Sequence, residues 1–208
     1  MMFKTILWDF DGVILDSMKI RDWGFEEVFK NFKKKDVESL LRYHRKNGGL
    51  SRYVKIRYFF EILLGQTVSD KEVLVYAEKF SRLMKKELIN PRNLILDSLE
   101  FIKNNYKKYN FHIVSGSDQE ELRFLCNELN ISQYFKSING SPTQKSILIK
   151  NILNNYDDSL ENFCLIGDSI NDYEAAKKNS IKFYSYNNKK IADLDSHIIN
   201  FSKFQPFN

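Results

Sequence analysis

The sequence predicts an α/β protein: a doubly wound parallel sheet, interrupted after its first strand by an all-helical segment. Three observations predict it. A short apolar run, Ile6-Leu7-Trp8, stops abruptly on Asp9-Phe10-Asp11-Gly12, as a buried strand does at its polar end. From residue 89 onward, apolar runs of strand length alternate with amphipathic helical stretches, the pattern of a parallel sheet with crossover helices. Between these regions, residues 17–88 carry apolar side chains at helical spacing only. The first strand needs partners, and every other candidate strand lies beyond residue 89. The helical segment, 17–88, is therefore read as an insertion into a core made of residues 1–16 and 89–208.

Taken in order, the opening strand ends at Asp9. Ile20, Trp23, Phe25, Val28, Phe29 and Phe32 mark a first helix, and Lys33-Lys34-Lys35-Asp36 a polar break. Val37, Leu40, Leu41 and Tyr43 mark a second helix, stopped by Asn47-Gly48-Gly49. Ser51 caps a third that runs to Gly65, and Ser69-Asp70-Lys71-Glu72 reads as a capping box opening a fourth. Asn90-Pro91 ends the segment, because a residue before proline resists helix. Helices are then expected over residues 96–106, 120–129, 145–153 and 172–178. Strands are expected at 111–114, 137–138, 163–166 and 181–184. The tail, 201–208, carries no signal.

Composition sets outer bounds. The 208 residues are enough for a substantial core, and 43% hydrophobic with 28% charged residues is ordinary for a globular chain. A net charge of +5 suits an anionic small substrate as readily as a nucleic acid and separates neither. Cys126 and Cys164 sit in apolar surroundings and are expected as buried free thiols, not a disulfide or zinc site. No apolar leader follows the N-terminus and no stretch reaches the length of a membrane span. A cytoplasmic chain with no membrane partner is expected.

The chemistry converges where strands should stop, which in doubly wound folds is where ligands sit. Asp9 and Asp11 would share one side of a continuing strand, and two such carboxylates repel unless a cation or proton relieves them. Gly12 lets the backbone turn and approach a small anion. Ser115-Gly116 offers a hydroxyl and exposed N–H groups for phosphate oxygens. Gly167-Asp168-Ser169-Ile170-Asn171-Asp172 places two carboxylates at a strand-to-helix turn, and Lys145 stands at a helix start. Singly, these read as helix caps, turns and a solvated lysine. In this order, each at a strand end, they point to a hard metal ion and a phosphoryl group.

Asp9-Phe10-Asp11-Gly12-Val13, Ser115 after its strand, Lys145 and Gly167-Asp168-Ser169-Ile170-Asn171-Asp172 together resemble the phosphohydrolases of the haloacid dehalogenase superfamily. Ile14-Leu15-Asp16-Ser17 and Gly49-Leu50-Ser51-Arg52 resemble its β-phosphoglucomutase and phosphoglycolate phosphatase branch. The resemblance implies a Rossmann-like core, a helical cap, Mg²⁺ and an aspartyl-phosphate intermediate. It implies Asp9 as nucleophile, Asp11 as general acid/base, and Ser115 with the Gly116 N–H as phosphate holders. Lys145 would balance charge between nucleophile and phosphate. Asp9, the Asp11 carbonyl and Asp168 would hold the metal, with Asp172 acting directly or through water.

Departures within the superfamily narrow this. Asp11 sets the chain apart from the dehalogenases, and from the phosphonatases whose cap lysine forms a Schiff base, although cap lysines such as Lys19 and Lys55 are present. Arg21 stands where the mutase has a cap histidine, and Gly167 where it has a second carboxylate. The expectation is a Mg²⁺-dependent phosphatase acting on a small phosphomonoester, a sugar phosphate or related metabolite, with the mutase as alternative. Arg52 is the expected substrate contact from the cap, and Gly48-Gly49 its hinge. Arg42, Arg45 and Lys46 are expected on a solvated helix face, and His44 on the surface. A non-catalytic or nucleic-acid-binding protein using this basic stretch is the competing class. It lacks a recognisable reader motif and leaves the convergent set unexplained. No nucleic-acid partner is expected, and a monomer is, because the cap covers its own site.

Overall fold

The computed structural model describes residues 4–207. Its centre is β1 (Thr5–Trp8), all four residues buried. Parallel neighbours flank it on both sides: β2 (Asn110–Asp118) and β4 (Phe163–Gly167). Outward lie β3 (Ser137–Ser141) on one edge, then β5 (Lys182–Tyr186) and β6 (Ser196–Ile198) on the other. The order is β3-β2-β1-β4-β5-β6, every pairing parallel. A sheet covered on both faces explains why β1 and β4 read as continuous apolar runs rather than alternating ones.

Between β1 and β2 the chain forms α1 (Met18–Phe29), α2 (Lys34–Lys46), α3 (Arg52–Arg57), a π-helical stretch (Tyr58–Leu63) and α4 (Asp70–Glu87). These pack around their own aromatic centre, with Phe25 against Phe80 at 4.5 Å and Phe29 against Phe59 at 4.4 Å between ring centroids. Ser51 caps α3, and Ser69 with Glu72 closes the capping box that opens α4. The remaining helices are α5 (Leu96–Asn105), α6 (Gln119–Glu128), α7 (Lys145–Leu153) and α8 (Ile170–Lys178). Both cysteines are buried and free.

The structure differs from the sequence reading at the start of α2, at β6 and in the tail, and the third helix passes into a π-helical stretch at Tyr58. Lys34, Lys35 and Asp36 are the first turn of α2 instead of a break, because an exposed first turn carries no apolar signature. Strand β6 has only three residues, too few for periodicity to register. The tail is part of the core: Phe201 is buried and its ring lies 5.4 Å from Trp8 and 5.2 Å from Phe101. Phe201→Ala is expected to destabilise the protein by about 3–5 kcal/mol, the usual cost of emptying a buried aromatic site. Urea unfolding of the two proteins measures it, and a loss under about 0.5 kcal/mol, the range of surface substitutions, would place the tail outside the core.

Candidate active site

The C-terminal ends of β1, β2 and β4 meet beneath the inserted helices. Beyond Trp8 the strand stops, held by a bond from the Asp9 N–H to the Ile166 carbonyl at 2.9 Å, and Gly12 turns the chain at φ +78°. Strand alternation therefore ceases to govern Asp9 and Asp11, and the two carboxylates face different surroundings. Asp9 is buried against Lys145, whose Nζ donates to Asp9 Oδ1 at 2.8 Å and also to Asp172 Oδ1. Asp172 and Ser169 form the capping box of α8, which fixes the other Asp172 oxygen. One oxygen from each of Asp9, Asp168 and Asp172 lies within 4.8 Å of the others.

Three crowded carboxylates beside a single ammonium leave an excess of two negative charges. Burial, then the charges of Asp172 and Asp11, push the Asp9 carboxyl up to about 7 despite the opposing pull of Lys145. Burial and the charges of Asp9 and Asp172 likewise hold Asp168 well above the usual range. Burial works to discharge Lys145, but Asp172 and Asp9 outweigh it and keep the lysine firmly protonated. A set of oxygen donors short of two positive charges fits a hard divalent cation.

Asp11 sits in a cationic setting. Arg21 Nε donates to its Oδ1 at 2.6 Å, Ser17 Oγ to the same oxygen at 2.5 Å, and Ser117 Oγ to Oδ2 at 2.5 Å. Burial alone would raise this carboxyl; Arg21 and the hydroxyls of Ser117 and Ser17 overcome it and hold Asp11 below the ordinary carboxylate value. Ser115 is buried at the same strand end, its Oγ accepting the Ser117 N–H at 3.1 Å. Gly116 is pressed against the loop 48–50, and a side chain there would overlap the Gly49 carbonyl oxygen. Gly49 in turn abuts Ser169 and Asn171. The loop thus lies wedged between the ends of β2 and β4, and the site is shut. A cleft of about 390 Å³, bordered by Gly49, Gly116, Pro142, Lys145 and Asn171, opens beside it.

Arg52 is buried rather than extended into open space: Nη1 pairs with Glu121 Oε2 at 2.6 Å and with Ser81 Oγ, and its guanidinium lies over Phe80. His44, expected on the surface, is also buried, because α2 turns that face inward against Phe25 at 4.8 Å. Its exposed neighbour Arg45 pairs with Asp22 at 2.7 Å. Several contributors escaped the sequence reading. Glu121 on α6 is fully buried and ties Arg21 to Arg52. Asn187 donates to the Gly12 carbonyl at 3.1 Å and Asn188 to the Asp168 carbonyl at 2.7 Å, bracing both Asp-bearing turns. The available signal was their position just beyond a predicted strand.

A parallel sheet carrying an aspartate-rich set at its strand ends, covered by helices inserted after the first strand, defines a class of hydrolase. A family model described as haloacid dehalogenase-like hydrolase matches residues 6–185, and the chain belongs to that family of enzymes. No protein of curated function is significantly similar in sequence. Among solved structures, CbbY from Rhodobacter sphaeroides in complex with xylulose-(1,5)bisphosphate superposes with a TM-score of 0.76 at 14% identity, over 97% of this chain and 96% of that one. The β-phosphoglucomutase of Clostridium difficile gives 0.75 at 16% identity, over 98% and 94%. The putative hydrolase YfnB of Bacillus subtilis, bound to magnesium, gives 0.65 at 15%, over 98% and 97%. At such identities the likeness is one of fold. Among the described residues no helix is long and apolar enough to cross a membrane.

Lys55 offers a test of the electrostatics. It is buried, and its Nζ donates to His44 Nδ1 at 2.9 Å and to the Gly48 carbonyl at 3.2 Å. Burial foremost, with Arg21 and Arg52 facing it and Asp11 and Asp9 opposing, pushes it down to about 7 from 10.5. Burial and the Lys55, Arg21 and Arg45 charges push His44 to about 2, so it stays neutral. Between about pH 7 and 10 the unfolded chain holds a proton on Lys55 that the folded chain lacks. Stability therefore rises with pH through that window, at about 1.4 kcal/mol per unit from this group. Lys55→Met is expected to flatten the rise. Urea unfolding from pH 7 to 9.5 measures it, and equal slopes in the two proteins would contradict the assignment.

Proposed function

We propose that this enzyme is a Mg²⁺-dependent phosphatase that hydrolyses a small phosphomonoester through an aspartyl-phosphate. The observation that carries the reading is the convergence of Asp9, Lys145, Asp168 and Asp172 at one strand edge with Ser115 and Gly116 beside them. Residues 17–88 act as a cap over this edge. Asp9, Asp168 and the Asp11 carbonyl would hold the metal, with Asp172 contributing directly or through water, and the bound ion would neutralise charge on the phosphoryl oxygens. The magnesium in the YfnB structure, together with the charge deficit of this site, supports that choice.

Asp9 attacks phosphorus in line, forming an Asp9 oxygen–phosphorus bond as the bond to the leaving alcohol breaks. Lys145 favours the ionised form of Asp9 and orients it for that attack. In its protonated form Asp11 gives a proton to the leaving oxygen; the carboxylate so formed takes one from the water that attacks the acyl phosphate at phosphorus, returning Asp9 and inorganic phosphate. Ser115 and the Gly116 N–H hold phosphate oxygens. The Arg21 guanidinium against Asp11 favours its carboxylate, the form that deprotonates water. This pairing, and Gly167 before Asp168, stand where the resemblance puts a histidine and a second carboxylate in the mutase, and both departures favour hydrolysis over phosphosugar isomerisation.

Purified protein is expected to release phosphate from p-nitrophenyl phosphate only with Mg²⁺ present. Asp9→Asn is expected to lower the rate by about 10³-fold or more, since covalent catalysis is lost. Phosphate release measured with and without EDTA decides it. Equal activity in the variant would sink the mechanism, and salt-sensitive DNA binding without hydrolysis would favour the competing class.

A further inference from the structure

We propose that Asn187 and Asn188, on the loop after β5, are positioning residues for the metal. They clip together the two turns that carry Asp11 and Asp168, and so set how tightly the site binds Mg²⁺ and how far it prefers that ion to Ca²⁺. This rests on the metal-dependent reading above and adds to it two residues outside the ligand set.

Strand β5 pairs with β4, Ser185 opposite Gly167, and β4 separates it from β1. Consecutive residues of a continuing strand would send their side chains to opposite faces. Asn187 instead takes a left-handed turn at φ +57°, a conformation asparagine tolerates better than most residues. Both amides then reach the strand ends. Asn187 Nδ2 donates past the end of β4 to the Gly12 carbonyl at 3.1 Å, and Asn188 Nδ2 donates to the Asp168 carbonyl at 2.7 Å. Asn188 Oδ1 is itself engaged, accepting the Lys190 N–H at 3.1 Å. With a donor on one side and an acceptor on the other, that amide has one orientation.

Each bond completes the restraint of a turn. The Gly12 N–H donates to the Leu15 carbonyl at 2.8 Å, which orients the planar peptide that also carries the Asp11 carbonyl. Asn187 holds the carbonyl on the other side of Gly12. The Ser169 N–H donates to Asp172 Oδ2 at 3.0 Å, and Asn188 holds the carbonyl of that same peptide, so the main chain beside Asp168 is pinned at both ends. The two turns also touch, because a side chain on Gly12 would overlap Asp168 Oδ2. Repulsion among the Asp9, Asp168 and Asp172 carboxylates works to spread them. The asparagines resist as neutral donors and leave the negative charge for the ion to meet. Such restraint discriminates between ions. Mg²⁺ demands near-octahedral oxygens at about 2.0–2.1 Å, whereas Ca²⁺ takes more oxygens at about 2.3–2.6 Å in looser geometry. Turns held in one arrangement therefore favour the smaller, stricter ion.

Calorimetric titration with magnesium chloride and, separately, calcium chloride tests the proposal without turnover. The proteins compared are the wild type, Asn188→Ala and Asn187→Gly, glycine being the residue that keeps the left-handed backbone. Asn188→Ala is expected to weaken Mg²⁺ binding about 10- to 100-fold, the usual effect of removing a group that orients a metal ligand. Asn187→Gly, which removes a longer bond from an exposed residue, is expected to weaken it about tenfold or less. Ca²⁺ affinity is expected to move by less than about threefold in either, because its coordination is looser. The preference for Mg²⁺ over Ca²⁺ therefore falls. Loss of both affinities in equal proportion would mark a general loosening of the fold and overturn the proposal, as would Mg²⁺ binding unchanged in both variants. If Asn188→Ala fails to unfold cooperatively in urea, Asn187→Gly decides alone. Absence of Mg²⁺ binding by the wild-type protein would overturn the metal reading itself, and the wild-type titration tells that failure from this one.

Discussion

The ammonium of Lys145 is the interaction on which the rest of this site depends. It bridges Asp9 at the end of the central strand and Asp172 in the first turn of α8, and it starts α7 itself. Three separate crossover units are therefore pinned together by one cation. Without it, the three carboxylates would repel at short range in a medium where unit charges 4 Å apart interact by about 4 kcal/mol. With it, the repulsion is reduced but not removed. The charge that remains is what a divalent cation at the strand ends would offset.

The site is thus divided into two electrical compartments. On the core side, carboxylates outnumber cations; on the helical side, Arg21 and Arg52 match Asp11 and Glu121 one for one. The tripeptide Asp9-Phe10-Asp11 straddles the boundary, with Phe10 fully buried between its two acidic neighbours. Residues two positions apart, on either side of a phenylalanine, consequently experience opposite fields: burial and neighbouring carboxylates lift Asp9, while Arg21 and two hydroxyls depress Asp11.

Much of this was legible in the residue order, and for physical reasons. The core strands announce themselves because a sheet covered on both faces needs unbroken apolar runs, and Ser69 with Glu72 because capping is a local bond between residues three apart. Lys145, Asp168 and Asp172 were readable because strand ends and helix starts fix where side chains point. What was not legible depends on contacts between distant segments. Glu121 resembles any other acidic residue in a first helical turn until Arg21 and Arg52, on helices a long way off in sequence, fold onto it. His44 looked solvated because its neighbours Arg42, Arg45 and Lys46 are. Its burial is decided by Phe25 on another helix. The tail failed for a different reason: single aromatics in a polar stretch carry no period, whatever they pack on.

The packing of Phe201 on Trp8 has a consequence for how the molecule is made. The central strand is synthesised first, yet its partners Asn110 and Phe163 lie more than a hundred residues downstream, and the ring that closes over Trp8 comes later still. The helices of residues 18–87, which surround their own aromatic cluster, are free to assemble on the ribosome while β1 waits unpaired. The strand that leads into both acidic groups is therefore a sticky, edge-exposed segment until residues 110–118 and 163–167 have been made. Its flanking charges, Lys4 on one side and Asp9 and Asp11 on the other, are of the kind that disfavour pairing of an exposed apolar strand with a wrong partner.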